Sequence, residues 1–175
     1  MHYYSYQWNK EADDEFIYFP YKLIVTVNLP AREMWKQWEI CQSDADNSWW
    51  PTQYSRIHFD ELPIRAGAKY HLTYTMPDYR NPGGPPLTPK YDYCMFEWDP
   101  EKMTCRYGGT GSHPFRGGAT FTVKEIDKNT CQIVWDGKYQ IQKGAKGARG
   151  YEWHSARFFN EFLISVAESI EKHTR

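Results

Sequence analysis

The chain has 175 residues, with 21 Lys and Arg against 22 Asp and Glu and a formal net charge of −1, which excludes the basic excess of a general nucleic-acid binder. Hydrophobic residues make up 41%, yet the mean hydropathy is −0.80. The two figures reconcile through 14 Tyr, 9 Phe and 8 Trp, because Tyr and Trp rings are apolar in bulk but carry a polar handle. No apolar run approaches the roughly 18 residues of a membrane span, and the length suits one domain with a single core.

Residues 1–16, MHYYSYQWNKEADDEF, are aromatic and acidic and lack the basic and apolar regions of a signal peptide. They read as a tail that docks on the domain, stays disordered, forms a homodimer contact or serves as a lid, which leaves 17–175 as a single domain. Tyr21–Asn28 is a strand rich in β-branched residues. Leu29-Pro30 ends it, and Pro30 opens a helix over 31–40 at a position where its missing N–H costs nothing. Met34, Trp35 and Trp38 form that helix's apolar stripe. Ser43–Ser48 is a loop or a short helix. Its Asp44-Ala45-Asp46-Asn47 run fails as a calcium loop, with Trp49 where glycine is needed and Ser55 where glutamate is needed.

Tyr54–Phe59 is the next strand. In Ala68–Met76, alternation places Tyr70, Leu72, Tyr74 and Met76 on one face. The stretch 79–89 holds too much proline for a regular element. Asp99-Pro100-Glu101-Lys102 has a type I turn signature. Closing that hairpin on Trp98 and Met103 pairs Phe96 with Cys105 and Cys94 with Tyr107, an apolar face throughout. Residues 108–118 form a glycine-rich loop without the GK[ST] of a phosphate loop. A second hairpin, turning at Asp127-Lys128-Asn129 with Asn129 left-handed, pairs Val123 with Ile133 and Phe121 with Trp135. Trp135, Gly137, Tyr139 and Ile141 continue its inner face. From 151 to 172, Phe159, Phe162, Leu163, Val166, Ala167 and Ile170 mark a long amphipathic helix, reaching ~30 Å.

Cys41, Cys94, Cys105 and Cys131 show no metal spacing. Without an export signal they read as free thiols of a cytoplasmic protein. The six histidines include no HExxH and no close pair, so neither a metal nor another cofactor is expected.

The predicted order is strand, helix, a loop or short second helix, six strands, long C-terminal helix. It resembles the α+β helix-grip fold of the SRPBCC superfamily, the START-like, birch-pollen-allergen and polyketide-cyclase proteins, in which a curved antiparallel sheet of about seven strands wraps the last helix. The resemblance covers about residues 20–172. It rests on Val25-Thr-Val-Asn-Leu-Pro-Ala-Arg-Glu-Met-Trp35, Phe96-Glu-Trp-Asp-Pro-Glu-Lys-Met103, Asn129-Thr-Cys-Gln-Ile-Val-Trp135 and Phe158-Phe-Asn-Glu-Phe-Leu163. None is a catalytic motif, so no catalytic residue carries over, and fold does not settle function.

The resemblance implies a cavity for a hydrophobic or aromatic small molecule between sheet and helix. Residues expected to line it are Tyr70, Leu72, Tyr74, Phe96, Trp98, Met103, Tyr107, Phe121, Trp135, Tyr139 and Phe159, with ordinary core packing as the alternative for each. Candidate acid–base groups are Tyr74, His58, His113, Arg116 and His154. Alternation against Ile57 and Phe59 places His58 on the solvent side, and His113 and Arg116 belong to the glycine-rich loop, read as a cavity rim or a plain surface connection. The implied functions are a cofactor-independent polyketide cyclase/dehydratase-like enzyme of secondary metabolism or a non-catalytic carrier or sensor of a lipid or other hydrophobic ligand.

Overall fold

The computed structural model describes residues 2–6, 11–78, 80–111, 115–144 and 148–175. The strands are β1 (His2–Tyr6), β2 (Glu11–Ala12), β3 (Phe16–Val27), β4 (Ser55–Phe59), β5 (Lys69–Tyr74), β6 (Lys90–Asp99), β7 (Thr104–Gly109), β8 (Phe115–Asp127) and β9 (Thr130–Gln142). Helix α1 (Ala31–Ser43) follows β3, and helix α2 (Ala148–His173) ends the chain. All strand pairs are antiparallel, in the order β1-β3-β9-β8-β7-β6-β5-β4, with β2 also on β3. The stretch from β3 to β4 is the predicted seven-stranded sheet. The segment read as a tail adds to it, since His2–Tyr6 pairs with Tyr21–Val25 along the β3 edge.

The sheet curls around α2. Phe162, Leu163, Val166, Ala167 and Ile170 are buried as the 3.6-residue period predicts, while Phe158 is buried and the expected Phe159 only half-buried. Helix α1 closes one end. Its buried residues Met34, Trp35, Trp38, Cys41 and Gln42 face the sheet, and Trp38 stacks on Phe121 with ring centroids 3.8 Å apart. The two helices meet where His173 hydrogen-bonds Gln37 at 3.1 Å.

Residues 44–54 form turns without a second short helix. Asn47 organises them from a left-handed backbone conformation, φ 51°. Its side-chain amide donates to the carbonyls of Cys41, Asp44 and Ile57, and its side-chain oxygen accepts from the Ile57 N–H at 2.8 Å. One buried side chain thus ties the end of α1 to β4.

The β8–β9 hairpin has the predicted pairs Val123–Ile133 and Phe121–Trp135. Its turn is tighter than expected. Asp127 pairs with Thr130, and the extra residue sits as a bulge between Glu125 and Asp127, so Asn129 needs no left-handed conformation.

The β6–β7 hairpin departs further from expectation. It closes on Asp99–Thr104, with Trp98 opposite Cys105, and Met103 takes the left-handed conformation at φ 51° inside the loop. A bulge then falls between Met95 and Glu97. Because strand side chains alternate, one extra residue exchanges the two faces beyond it. Met95 and Tyr93 turn inward, and Phe96 turns out.

Candidate functional site

Between α2 and the concave face of the sheet lies a mostly apolar cavity. Its volume is about 80 Å³, on a measure where one water needs ~10–15 Å³. Strands β5 and β6 supply Tyr70, Leu72, Tyr74, Tyr91, Tyr93 and Met95, while Tyr21, Tyr107, Trp135 and Tyr139 come from β3, β7 and β9. Helix α1 contributes Trp38 and Gln42, α2 contributes Phe158, Phe159 and Phe162, and Trp50, Ile57, Met76, Gly117 and Gly118 complete the wall.

Seven of the residues expected to line the cavity do so: Tyr70, Leu72, Tyr74, Tyr107, Trp135, Tyr139 and Phe159. Four do not. Phe96 is 43% exposed, carried outward by the bulge, and its ring lies beneath the Arg106 guanidinium at 5.2 Å. Trp98 packs on Trp35 and Met103 packs beside the core, at the end of the groove that α1 fills. Phe121 lies behind Trp38 and backs the wall without reaching the space.

Of the two acid–base candidates whose side chains are described, Tyr74 reaches the cavity and His58 does not. His58 is exposed on the convex face of β4. His113 lies outside the described residues. The backbones of Arg116 and His154 belong to β8 and α2, and their side chains lie outside the described residues.

The cavity's polarity comes from tyrosine hydroxyls. The Trp135 indole N–H donates to the Tyr107 hydroxyl oxygen at 2.7 Å. The Tyr107 hydroxyl also neighbours that of Tyr21, and the Tyr74 hydroxyl neighbours that of Tyr93. Burial pushes the Tyr93 phenol up to about 12, offset in part by the neighbouring Tyr74 hydroxyl. Burial also lifts Tyr21, Tyr70, Tyr74 and Tyr107 above the ordinary phenol value, with neighbouring tyrosines adding to the rise. These hydroxyls therefore stay protonated at neutral pH and act as neutral donors. No Asp, Glu, His, Lys or Arg lines the cavity among the described residues.

Gln42 was not expected here. It follows Trp38 by one helical turn, so both face the sheet, and it is 5% exposed. Its amide nitrogen is buried without a partner, an arrangement that costs about 1–3 kcal/mol. The only signal in the sequence was the i, i+4 spacing from Trp38. Tyr91, Tyr93 and Met95 were missed because the β6 bulge reverses the apparent alternation.

Among the described residues no cluster of His, Cys, Asp or Glu is arranged to hold a metal, and no helix is long and apolar enough to cross a membrane. The four cysteines are free.

No protein-family model and no curated protein sequence matches the chain. Solved structures do. The Zhui aromatase/cyclase from Streptomyces sp. R1128 is similar at a TM-score of 0.61 and 14% identity, over 89% of this chain and 91% of that one. Norcoclaurine synthase from Thalictrum flavum, in complex with dopamine and hydroxybenzaldehyde, gives a TM-score of 0.60 and 13% identity, over 90% and 86%. Ginseng major latex-like protein 151 from Panax ginseng gives 0.56 and 13%, over 89% and 98%. At these identities the likeness is one of architecture, and it shows that the chain has the helix-grip fold.

Proposed function

We propose that the protein binds an uncharged, flat hydrophobic small molecule in the aromatic cavity and promotes its ring closure or dehydration, as a polyketide cyclase/dehydratase-like enzyme. The observation that carries this reading is the set of buried, protonated tyrosine hydroxyls on an otherwise apolar wall. Apolar rings exclude water and hold a reactive chain in one conformer. Fixed hydroxyl donors then stabilise charge that develops on a carbonyl oxygen.

In such a step an enol carbon of the substrate attacks one of its own carbonyl carbons. A carbon–carbon bond forms, and the carbonyl π electrons move onto the oxygen. A tyrosine hydroxyl gives that oxygen its proton, and the enol's O–H proton returns to the tyrosine, directly or through a neighbouring hydroxyl. Loss of the new hydroxyl with a neighbouring carbon-bound proton releases one water. Neither step consumes a cofactor.

A second reading, a carrier or sensor of a hydrophobic ligand, is favoured by one observation. No described lining residue is a base at neutral pH. Native mass spectrometry of protein purified from its own source separates the two. A co-purifying aromatic ligand that loses the mass of one water on incubation supports the enzyme, and one that exchanges unchanged supports the carrier. If hydrophobic aromatic molecules neither co-purify nor bind, both readings fail.

A further inference from the structure

We infer that Gln42 is the specificity-determining residue of the cavity, donating its amide N–H to a carbonyl or phenol oxygen on a planar, uncharged ligand. The inference rests on the cavity being a ligand site, as proposed above, and adds which atom reads the ligand and what chemistry it reads.

Four described donors are buried without partners: the indole nitrogens of Trp35, Trp38 and Trp49, and the Gln42 amide nitrogen. Trp35 and Trp49 do not line the cavity. Trp38 does line the cavity, but its indole is held flat against Phe121 at 3.8 Å, so its N–H cannot swing to meet a ligand. Gln42 is left as the cavity-lining residue whose strong donor goes unused. Glutamine seldom stays buried without hydrogen bonds. Leucine or methionine would fill this position on α1 without that cost, so the amide makes physical sense when its missing acceptor arrives with a ligand.

The surroundings define that acceptor. Trp38 and Trp50, which line the same end, are held 5.7 Å apart between ring centroids and offer aromatic surface to a flat molecule. No charged described side chain lines the cavity, so a carboxylate or ammonium group would enter without compensation. A neutral carbonyl or phenol oxygen meets the amide's requirement at little desolvation cost. The tyrosine donors stand on the sheet and Gln42 stands on α1, so the ligand's oxygens are read from two separate elements.

The test compares 1-tetralone with tetralin, two bicyclic probes that differ by one carbonyl oxygen. Binding is measured by calorimetry on the full chain and on Gln42→Leu, with Gln42→Met in reserve should leucine disturb the fold. Wild-type protein is expected to prefer the ketone by roughly two- to tenfold, the range of one net hydrogen bond. Gln42→Leu should lose most of that preference while keeping its affinity for tetralin within about twofold. Its melting temperature should not fall, because an unpaired buried donor has been removed. Equal binding of the two probes by wild type, or an unchanged preference in both variants, overturns the role of Gln42 and leaves the cavity a ligand site. Failure of both probes to bind wild type overturns the ligand-site reading itself, and the inference with it.

Discussion

The indole N–H of Trp135 and the hydroxyl oxygen of Tyr107 meet at 2.7 Å across strands β9 and β7, which are separated by β8. Trp135 can only donate, so Tyr107 must accept and its own proton is left for another acceptor. A single interaction thus sets the orientation of the Tyr107 hydroxyl on the cavity wall. Tyr107→Phe would leave the Trp135 donor buried and unpaired, at a cost of about 1–3 kcal/mol. Trp135→Phe adds a loss of volume to the lost bond. Denaturant melts of both single variants and the double variant should show coupling of about 1 kcal/mol. Strict additivity would mean that the pair does not act together.

The glycines of β8 and β9 give a paired prediction. A Cβ added at Gly137 would lie 2.5 Å from the Gly118 carbonyl oxygen, 2.6 Å from the Ala119 Cβ and 2.8 Å from the Tyr21 hydroxyl. Two of these neighbours cannot swing away, so Gly137→Ala should cost about 1–3 kcal/mol. At Gly117, which lines the cavity, the nearest atoms are 3.5 Å away, the Tyr139 Cβ and the Tyr93 hydroxyl. Gly117→Ala should therefore fold at wild-type stability or slightly above it while narrowing the cavity by a methyl group. Thermal melts and tetralone binding together check this. Gly117→Ala should lose affinity without losing stability, and Gly137→Ala should lose stability first.

Much of the fold is written in local pattern. The stripe of α2, the alternation of β5 and the β8–β9 pairing follow from hydrophobic periods of 3.6 and 2 that each element satisfies by itself. The site was less legible where a local device breaks the period. Phe96 and Met95 are adjacent and both apolar, and only the bulge decides which one faces inward. Gln42 carries no sign of burial in its residue type. Asn47 looked like an ordinary loop residue because its partners, Cys41 and Ile57, are brought together only by the completed fold. The N-terminal strand was hidden for the same reason, since an edge strand needs its partner to be recognised.

Asn47 carries a stability prediction of its own. It combines a left-handed backbone with hydrogen bonds to Cys41, Asp44 and Ile57. Asn47→Ala removes all of them, strains the φ of 51° and unpairs the Ile57 N–H. A loss of about 3 kcal/mol or more is expected, which corresponds to roughly 6–12 °C in Tm for a chain of this size. Asn47→Gly relieves the strain but not the lost bonds, and should fall between alanine and wild type. If alanine costs less than glycine, backbone strain is not part of the cost.

The tyrosine cluster sets the response to pH. Burial raises the Tyr93 phenol to about 12 and lifts Tyr21, Tyr70, Tyr74 and Tyr107 in the same direction, whereas an unfolded tyrosine ionises near 10. Between these values the native chain holds more protons than the unfolded one, so stability falls as pH rises. This contribution is fully present below about pH 10 and is lost progressively above it. The absorbance of tyrosinate at 295 nm should rise in two stages. Exposed tyrosines ionise first, and the buried group follows in a step that coincides with loss of secondary structure by circular dichroism. Tetralone affinity should stay flat across neutral pH, because the described cavity residues offer no group that changes charge there. A sigmoidal change in affinity between about pH 5 and 8, the range in which histidine titrates, would show that an ionisable group outside the described lining takes part in binding. A single-stage tyrosine titration in a chain that remains folded would show that the cavity hydroxyls are not buried donors.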